Sequence, residues 1–357
     1  MAYNRNLGDN PKPLCLTNIP DDSISSIRWS NPPNSLFIAA GSWDKTLRVW
    51  QISSSFGSNL SSTFKVSYMS NAPILSIGFS QDNTKLFAGS CDNTVRAFDL
   101  TSGNQAGVIV GQHQKPVIGV YHFPQQNAVI TGGWDGMVAI WDMRQQNPAW
   151  SRMLNSKIFA MDFKSNIICT ADSKLRANYW NVNNLNDTNT IPLDSSLRTQ
   201  VRALALFPEV GDESGAGFTS IGGRCVVNYF SPSHRGRNFS FKCHRTDLNG
   251  KGTYVYPVNG IDFYGKYGTF VTGGGDGNFT IWDKENKTRV KMFNTMDSPI
   301  VDVKFNSEHN FLAYATSYDW HKGLNRNLMS SSSRTLQIVQ LREEYVKPKP
   351  KAGSNRR

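Results

Sequence analysis

The 357-residue chain contains no Cys-x-x-Cys pair and no run near the ~18 apolar residues that a membrane-crossing helix needs. Its first fifteen residues, MAYNRNLGDNPKPLC, hold no apolar segment of the kind a secretory signal carries. The five cysteines (Cys15, Cys91, Cys169, Cys225 and Cys243) are odd in number and widely scattered, which fits reduced thiols in the cytosol or nucleus and not a disulfide framework. Acidic side chains are the scarcer charge: 27 Asp plus Glu against 38 Lys plus Arg, a net charge of +11. That balance favours acidic partners such as nucleic acid or acidic peptides. Also missing are H-E-x-x-H, G-x-S-x-G and the phosphate-binding G-x-x-x-x-G-K-[ST], so nothing marks the chain as an enzyme. No cofactor, metal, membrane surface or small-molecule substrate is expected.

What is present is a repeat. AAGSWDKTLRVWQI (39–52), FAGSCDNTVRAFDL (87–100), ITGGWDGMVAIWDM (130–143) and VTGGGDGNFTIWDK (271–284) align without gaps. Each joins an apolar strand to an alternating one through a turn of small residues and Asp. The aspartates, Asp44, Asp92, Asp135 and Asp276, stand six positions before the aromatic that ends the unit. A carboxylate in a tight turn caps neighbouring backbone N–H groups, and Gly or Asn beside it takes up left-handed backbone, so the four are read as structural turn residues. The Gly run at 273–277 lies between two strands and does not open a helix, which makes it a turn and not a phosphate cradle.

Weaker copies end at Trp180, at Phe230 and near residue 339, giving seven units 39 to 57 residues apart, at and above the period of a propeller blade. The expected fold is therefore all-β: a single seven-bladed β-propeller over residues 14–345. Innermost strands are expected at 23–30, 73–80, 115–123, 258–265 and 299–306. LCLTNI (14–19) is expected to supply the outer strand of the last blade and close the ring, which leaves no open sheet edge there. Residues 1–13 are read as a flexible segment. The carboxy-terminal stretch from 346 is read as a basic disordered tail that includes KPKPKAGSNRR.

Three places depart from the repeat. Counting back six from Phe230 and from Trp180 gives Arg224 and Lys174 where other units carry Asp. IWDKENKTRVK sets Lys284, Lys287, Arg289 and Lys291 along one blade edge. Each of these cations is either solvated or part of a rim that recognises anions. In FSFKCHR (239–245), adjacent Cys243 and His244 point to opposite faces of a strand and cannot share one metal or proton. Cys243 is expected inward and His244 toward a blade edge or a partner.

PDDSIS (20–25), FSFKCHR, YPVNGIDF (256–263), SYDWHKG (317–323) and GGGDGNFTIWDK (273–284) together resemble the WD-repeat mRNA export factors of the nuclear pore, the Gle/Rae type. The resemblance runs from about residue 18 to 345 and is weakest over 150–215. It implies an adaptor located at the nucleus and nuclear pore, with a cytoplasmic pool, that docks on the acidic-apolar GLEBS hairpin of an FG nucleoporin. By motif position the hairpin's glutamates would meet Arg224 and Arg289, and its apolar part would meet Phe241, Trp282, Asp283 and Lys284, with Lys287 beside them. Messenger RNA or ribonucleoprotein is a second, charge-driven partner class. Two alternatives stay open: a spindle-checkpoint propeller that binds similar motifs in checkpoint kinases, and a substrate receptor of a cullin-RING ubiquitin ligase anchored by Arg144 in IWDMR (140–144).

Overall fold

The structure, a computed structural model, describes residues 12–32, 36–54, 60–103, 105–294, 298–321, 323 and 333–348. Seven four-stranded antiparallel sheets follow one another along the chain as the blades of a propeller. Blade 1 comprises Ile24–Trp29, Phe37–Ser42, Thr46–Ser54 and Leu60–Met69, numbered outward from the axis. The innermost strands of blades 2 to 7 are Ile74–Phe79, Val117–Phe123, Ile158–Lys164, Val201–Leu206, Val258–Tyr264 and Ile300–Phe305. Five of the seven are those the sequence marks; the strands at 158 and 201 lie in the stretch where the resemblance is weakest. Blade 7 takes its outermost strand, Leu14–Cys15, from the other end of the chain, with Leu14 opposite Ile338.

The core is distributed between blades. Tyr264, Val271 and Phe279 of blade 6 pack on Ile300, Val303 and Tyr314 of blade 7. Phe207, Cys225 and Tyr229 of blade 5 pack on Val258, Phe263 and Phe270 of blade 6. Both faces of an inner strand are covered, yet the strands are not purely apolar: Asp162, Asp262 and Asp302 interrupt Ile158–Lys164, Val258–Tyr264 and Ile300–Phe305. The short helix Glu343–Val346 extends this packing, with Tyr345 and Val346 buried and Thr269 Oγ1 donating to the Val346 carbonyl at 2.9 Å. The globular body thus includes Val346, which the sequence reading assigns to the tail. Residues 1–11 and 349–357, most of the two terminal segments, lie outside the described residues.

Neighbouring inner strands are linked by side chains. Asp162 Oδ2 accepts from Leu206 N at 2.8 Å, Asp262 Oδ2 from Phe305 N at 2.8 Å, and Asp302 Oδ2 from Ile27 N at 3.0 Å. Ser76 Oγ does the same for Val120 N at 3.1 Å. The strands come so close that a Cβ on Gly78 would lie 2.8 Å from the Val120 carbonyl oxygen.

Every inner strand carries one β-bulge at the same place. The bulged residues, Ser25, Leu75, Ile118, Phe159, Arg202, Asn259 and Val301, line an axial cavity of about 660 Å³. On the face carrying the turns between second and third strands, its lining includes Trp43, Trp134 and Trp320.

Removing one of the inter-blade acceptors leaves a buried N–H without a partner. Asp162→Ala and Asp262→Ala should each lower unfolding stability by about 1–3 kcal/mol in urea titration. The denaturant slope should stay unchanged, because the surface exposed on unfolding is the same.

Candidate functional site

Strand Phe239–Lys242 ends before the Cys-His pair, so the alternation expected through His244 fails. His244 takes a left-handed backbone (φ 49°) that turns its ring into the blade. The imidazole is buried: Nδ1 lies 2.8 Å from Asp276 Oδ1 and Nε2 lies 2.9 Å from Thr272 Oγ1, which also accepts from Trp282 Nε1 at 2.9 Å. With Asp276 able only to accept, Nδ1 carries a proton toward it. Blade 3 repeats this chain with Trp141, Thr131, His113 and Asp135. His244 is therefore a structural tie between blades 5 and 6, not a residue facing a blade edge or partner. Burial pushes the Cys243 thiol up to about 12, so it is a packed thiol and not a nucleophile.

The glycine run follows from the same contact. A Cβ on Gly274 would strike the imidazole of His244, and Gly277 (φ 74°) forms the turn. Gly133 holds the equivalent place beside His113.

The left-handed turn residue fixes the frame of six blades: Lys45, Asn93, Gly136, Leu175, Gly223 and Gly277. The residue before it is Asp44, Asp92, Asp135, Lys174, Gly222 and Asp276. Gly222, not Arg224, therefore replaces the aspartate in blade 5, and Arg224 opens the third strand, Arg224–Tyr229. The ring position of Trp282, opposite Phe270, is held there by Asn228, opposite Ala216. Phe230 lies beyond the strand and stacks on Tyr179 at 4.1 Å.

In blade 4, Lys174 does sit at the aspartate place. Asp172, two residues earlier, supplies the carboxylate, accepting from Lys174 N, Arg176 N and the Arg176 guanidinium at 2.8–3.0 Å. Burial pushes the carboxyls of Asp44, Asp92, Asp135, Asp172 and Asp276 up, but hydrogen bonds from turn N–H groups and side chains outweigh it and hold all five below the ordinary carboxylate range.

Four of the seven expected docking residues come together on the flank of blades 5 and 6. The Phe241 ring packs on Trp282 at 4.6 Å and on Phe239 at 6.0 Å. Lys287 Nζ stands 5.1 Å from the Phe239 ring. Arg289 pairs across the sheet with Trp282 and is exposed, its guanidinium 3.7 Å from Met292 Sδ. Arg224 lies at the opposite end of its sheet, since it begins a third strand while Arg289 lies near the start of a fourth. A run of contacts still links the two: Cys225, next to Arg224, pairs with Phe241, which touches Trp282, which pairs with Arg289.

Asp283 and Lys284, expected on this surface, are each 2% exposed. Asp283 caps its own turn, accepting from Glu285 N, Asn286 N and Asn286 Nδ2 at 2.6–3.0 Å. Lys284 Nζ lies over the Phe207 and Tyr229 rings at 4.3 and 5.2 Å and pairs with Glu209 at 3.0 Å and Glu285 at 3.5 Å. Arg237 extends the network to Glu285 at 2.7 Å and Glu213 at 2.6 Å. A sequence reading sees a run of basic residues here; the fold makes the first of them an inter-blade clasp. Arg144 folds back on Asp142 in its own turn, with contacts at 2.7 and 2.8 Å.

The WD domain, G-beta repeat family model matches residues 14–51, 59–99 and 105–142. A protein from Chaetomium thermophilum described as mRNA export factor GLE2 is 34% identical, covering 96% of this chain and 94% of its own. The Poly(A)+ RNA export protein of Schizosaccharomyces pombe is 33% identical over 97% and 95%. Protein Rae1 of Drosophila melanogaster is 33% identical over 85% and 87%. Among solved structures, the WD40 β-propeller domain of Doa1 superposes with a TM-score of 0.64 at 18% identity, covering 91% of this chain and 96% of that one, a likeness of fold.

Two outcomes follow from the geometry. Lys284→Ala leaves Glu209 without its partner while Glu285 keeps Arg237, and should cost about 1–3 kcal/mol, below the range for a fully buried pair because both carboxylates reach solvent. Lys287→Ala and Arg289→Ala should leave the thermal midpoint unchanged, so calorimetry separates the clasp from the surface.

The second outcome concerns acid. A carboxylate whose folded pKa is depressed contributes stability that is present above its unfolded pKa, about 3.9, and is lost as pH falls through the folded value. The unfolding midpoint should thus fall steeply below about pH 4, and Asp276→Asn should reduce that slope.

Proposed function

Because the chain belongs to the WD-repeat family of mRNA export factors, we propose that it serves mRNA export as a non-enzymatic adaptor at the nuclear pore, docking the acidic-apolar GLEBS hairpin of an FG nucleoporin on the flank of blades 5 and 6. The observation that carries this reading is the Phe239, Phe241 and Trp282 cluster, with Arg224 beyond one end and Lys287 and Arg289 at the other. An elongated ligand with apolar side chains between separated carboxylates matches that order. Its apolar anchors would supply most of the free energy, and the arginine contacts would set register and partner choice. Asp283 and Lys284 act behind the surface, holding the turn that presents Lys287 and Arg289.

Messenger RNA would be held by charge, without base reading, and therefore with steep salt dependence. The ligase-receptor reading gains nothing from Arg144, which is engaged by Asp142.

Calorimetry with a GLEBS peptide tests the reading. Arg224→Glu combined with Arg289→Glu should weaken binding by about 30-fold to several thousandfold, the cost of disrupting a desolvated charge pair. Phe241→Ala should weaken it independently. A matched checkpoint-kinase peptide that bound more tightly would favour the checkpoint relative. Absence of wild-type binding would overturn the docking partner while leaving the export family intact.

A further inference from the structure

The ring of bulged residues at the mouth of the axial cavity is chemically lopsided. Leu75, Ile118 and Phe159 make three consecutive blades apolar, and Trp134 stands above them. The next blade contributes Arg202, the ring's sole charge. Its Nε donates to Asn259 Oδ1 at 3.1 Å, and the carboxylates of Asp319 and Asp302 act on it across the cavity without forming a direct ion pair among the described residues. The other cations of the cavity are matched: Arg28 and Lys304 pair with Asp302 at 3.9 and 3.8 Å.

The neighbouring polar groups are already engaged. Asn259 Nδ2 donates to the Ile300 carbonyl at 2.9 Å and to Asp319 Oδ2 at 3.1 Å, and Asp319 Oδ1 is taken by His321. A guanidinium at a cavity wall whose two terminal nitrogens have no hydrogen-bond partner among the described residues, beside an apolar wall, is a half-site for a carboxylate attached to an apolar group. The cavity's size suits a side chain and a few backbone atoms.

We propose that the axial mouth receives the carboxy-terminus of a partner protein: an apolar last side chain against Leu75, Ile118 and Phe159, and the terminal carboxylate on Arg202. A chain end is the occupant because the cavity runs along the propeller axis behind a ring of seven residues. It admits a peptide end-on, whereas a mid-chain acidic residue would require the segment to double back. The site is distinct from the flank of blades 5 and 6 and does not depend on the docking reading given above.

Calorimetry on the full chain tests it with three probes: acetyl-Gly-Ser-Gly-Leu-Phe as the free acid, the same peptide as its amide, and acetyl-Gly-Ser-Glu-Leu-Phe amide. The free acid should bind about 10- to 100-fold more tightly than either amide, the range for charge-assisted hydrogen bonds. Arg202→Gln should erase that preference, Arg202→Lys should keep part of it, and Phe159→Ala should weaken free acid and amide alike. The thermal midpoint of each variant reports its fold; should Arg202→Gln fail to fold, the Lys variant against wild type carries the test. Equal binding of acid and amide, no binding of the free acid at millimolar concentration, or a preference that survives Arg202→Gln would each overturn the site. Equal binding by the glutamate-bearing amide would overturn the chain end as its ligand.

Discussion

Adjacent blades of this propeller share no backbone ladder, so the ring depends on what a side chain can reach from one inner strand to the next. Asp162, Asp262, Asp302 and Ser76 each accept an N–H from the following blade's inner strand. Those bonds require inner strands close enough for a short side chain to span, which is why Gly78 faces the Val120 carbonyl with no room for a Cβ. The apolar layers between blades are a consequence of the same spacing. Once the inner strands are set, Ile300 and Val303 must fill the gap against Val271 and Phe279, and every blade is packed on two neighbours.

The outer parts of the blades use different physics for the same task. His113 and His244 come from the crossover into a blade and fasten it to that blade's own turn aspartate. Where such a histidine enters, the residue beside it is Gly133 or Gly274; blades 1 and 2 carry Ser42 and Ser90 at that place. Ser42 then bonds the crossover backbone directly, through Ser23 O at 3.1 Å. Between blades 5 and 6 the fastening is ionic, through Lys284 and two glutamates over aromatic rings. The cluster of Phe241, Trp282, Lys287 and Arg289 rests on that ionic layer, so its shape is set from behind.

The repeat could be read from the sequence wherever turn and strand signals coincide, as in blades 1, 2, 3 and 6. Blade 5 defeated the count because Phe230 lies two residues beyond Asn228, and alternation alone cannot tell which of two positions on one face ends the unit. Arg224 was displaced from its true place by that same slip. His244 looked like a strand residue because a left-handed kink leaves no trace in residue alternation; the Gly-for-Ser exchange at 133 and 274 is the signal that could have found it. Lys284 had no local signal at all. Phe207, Glu209 and Tyr229, which surround it, belong to the preceding blade, so only the folded ring shows that this lysine is not on the surface.

Leu14–Cys15 pairs with Thr335–Gln340, so the seventh blade joins segments made at opposite ends of synthesis. At ribosomal rates of about 5–20 residues per second, the early strand waits roughly 15 to 65 s for its partner. Through that interval blades 1 to 6 can form an arc whose two end faces, later buried against blade 7, are apolar and uncovered. Uncovered apolar end faces of that kind favour aggregation. The arc's lifetime is set by translation speed over the last blade, so slow codons between residues 300 and 340 would tax the protein more than slow codons anywhere earlier in the message.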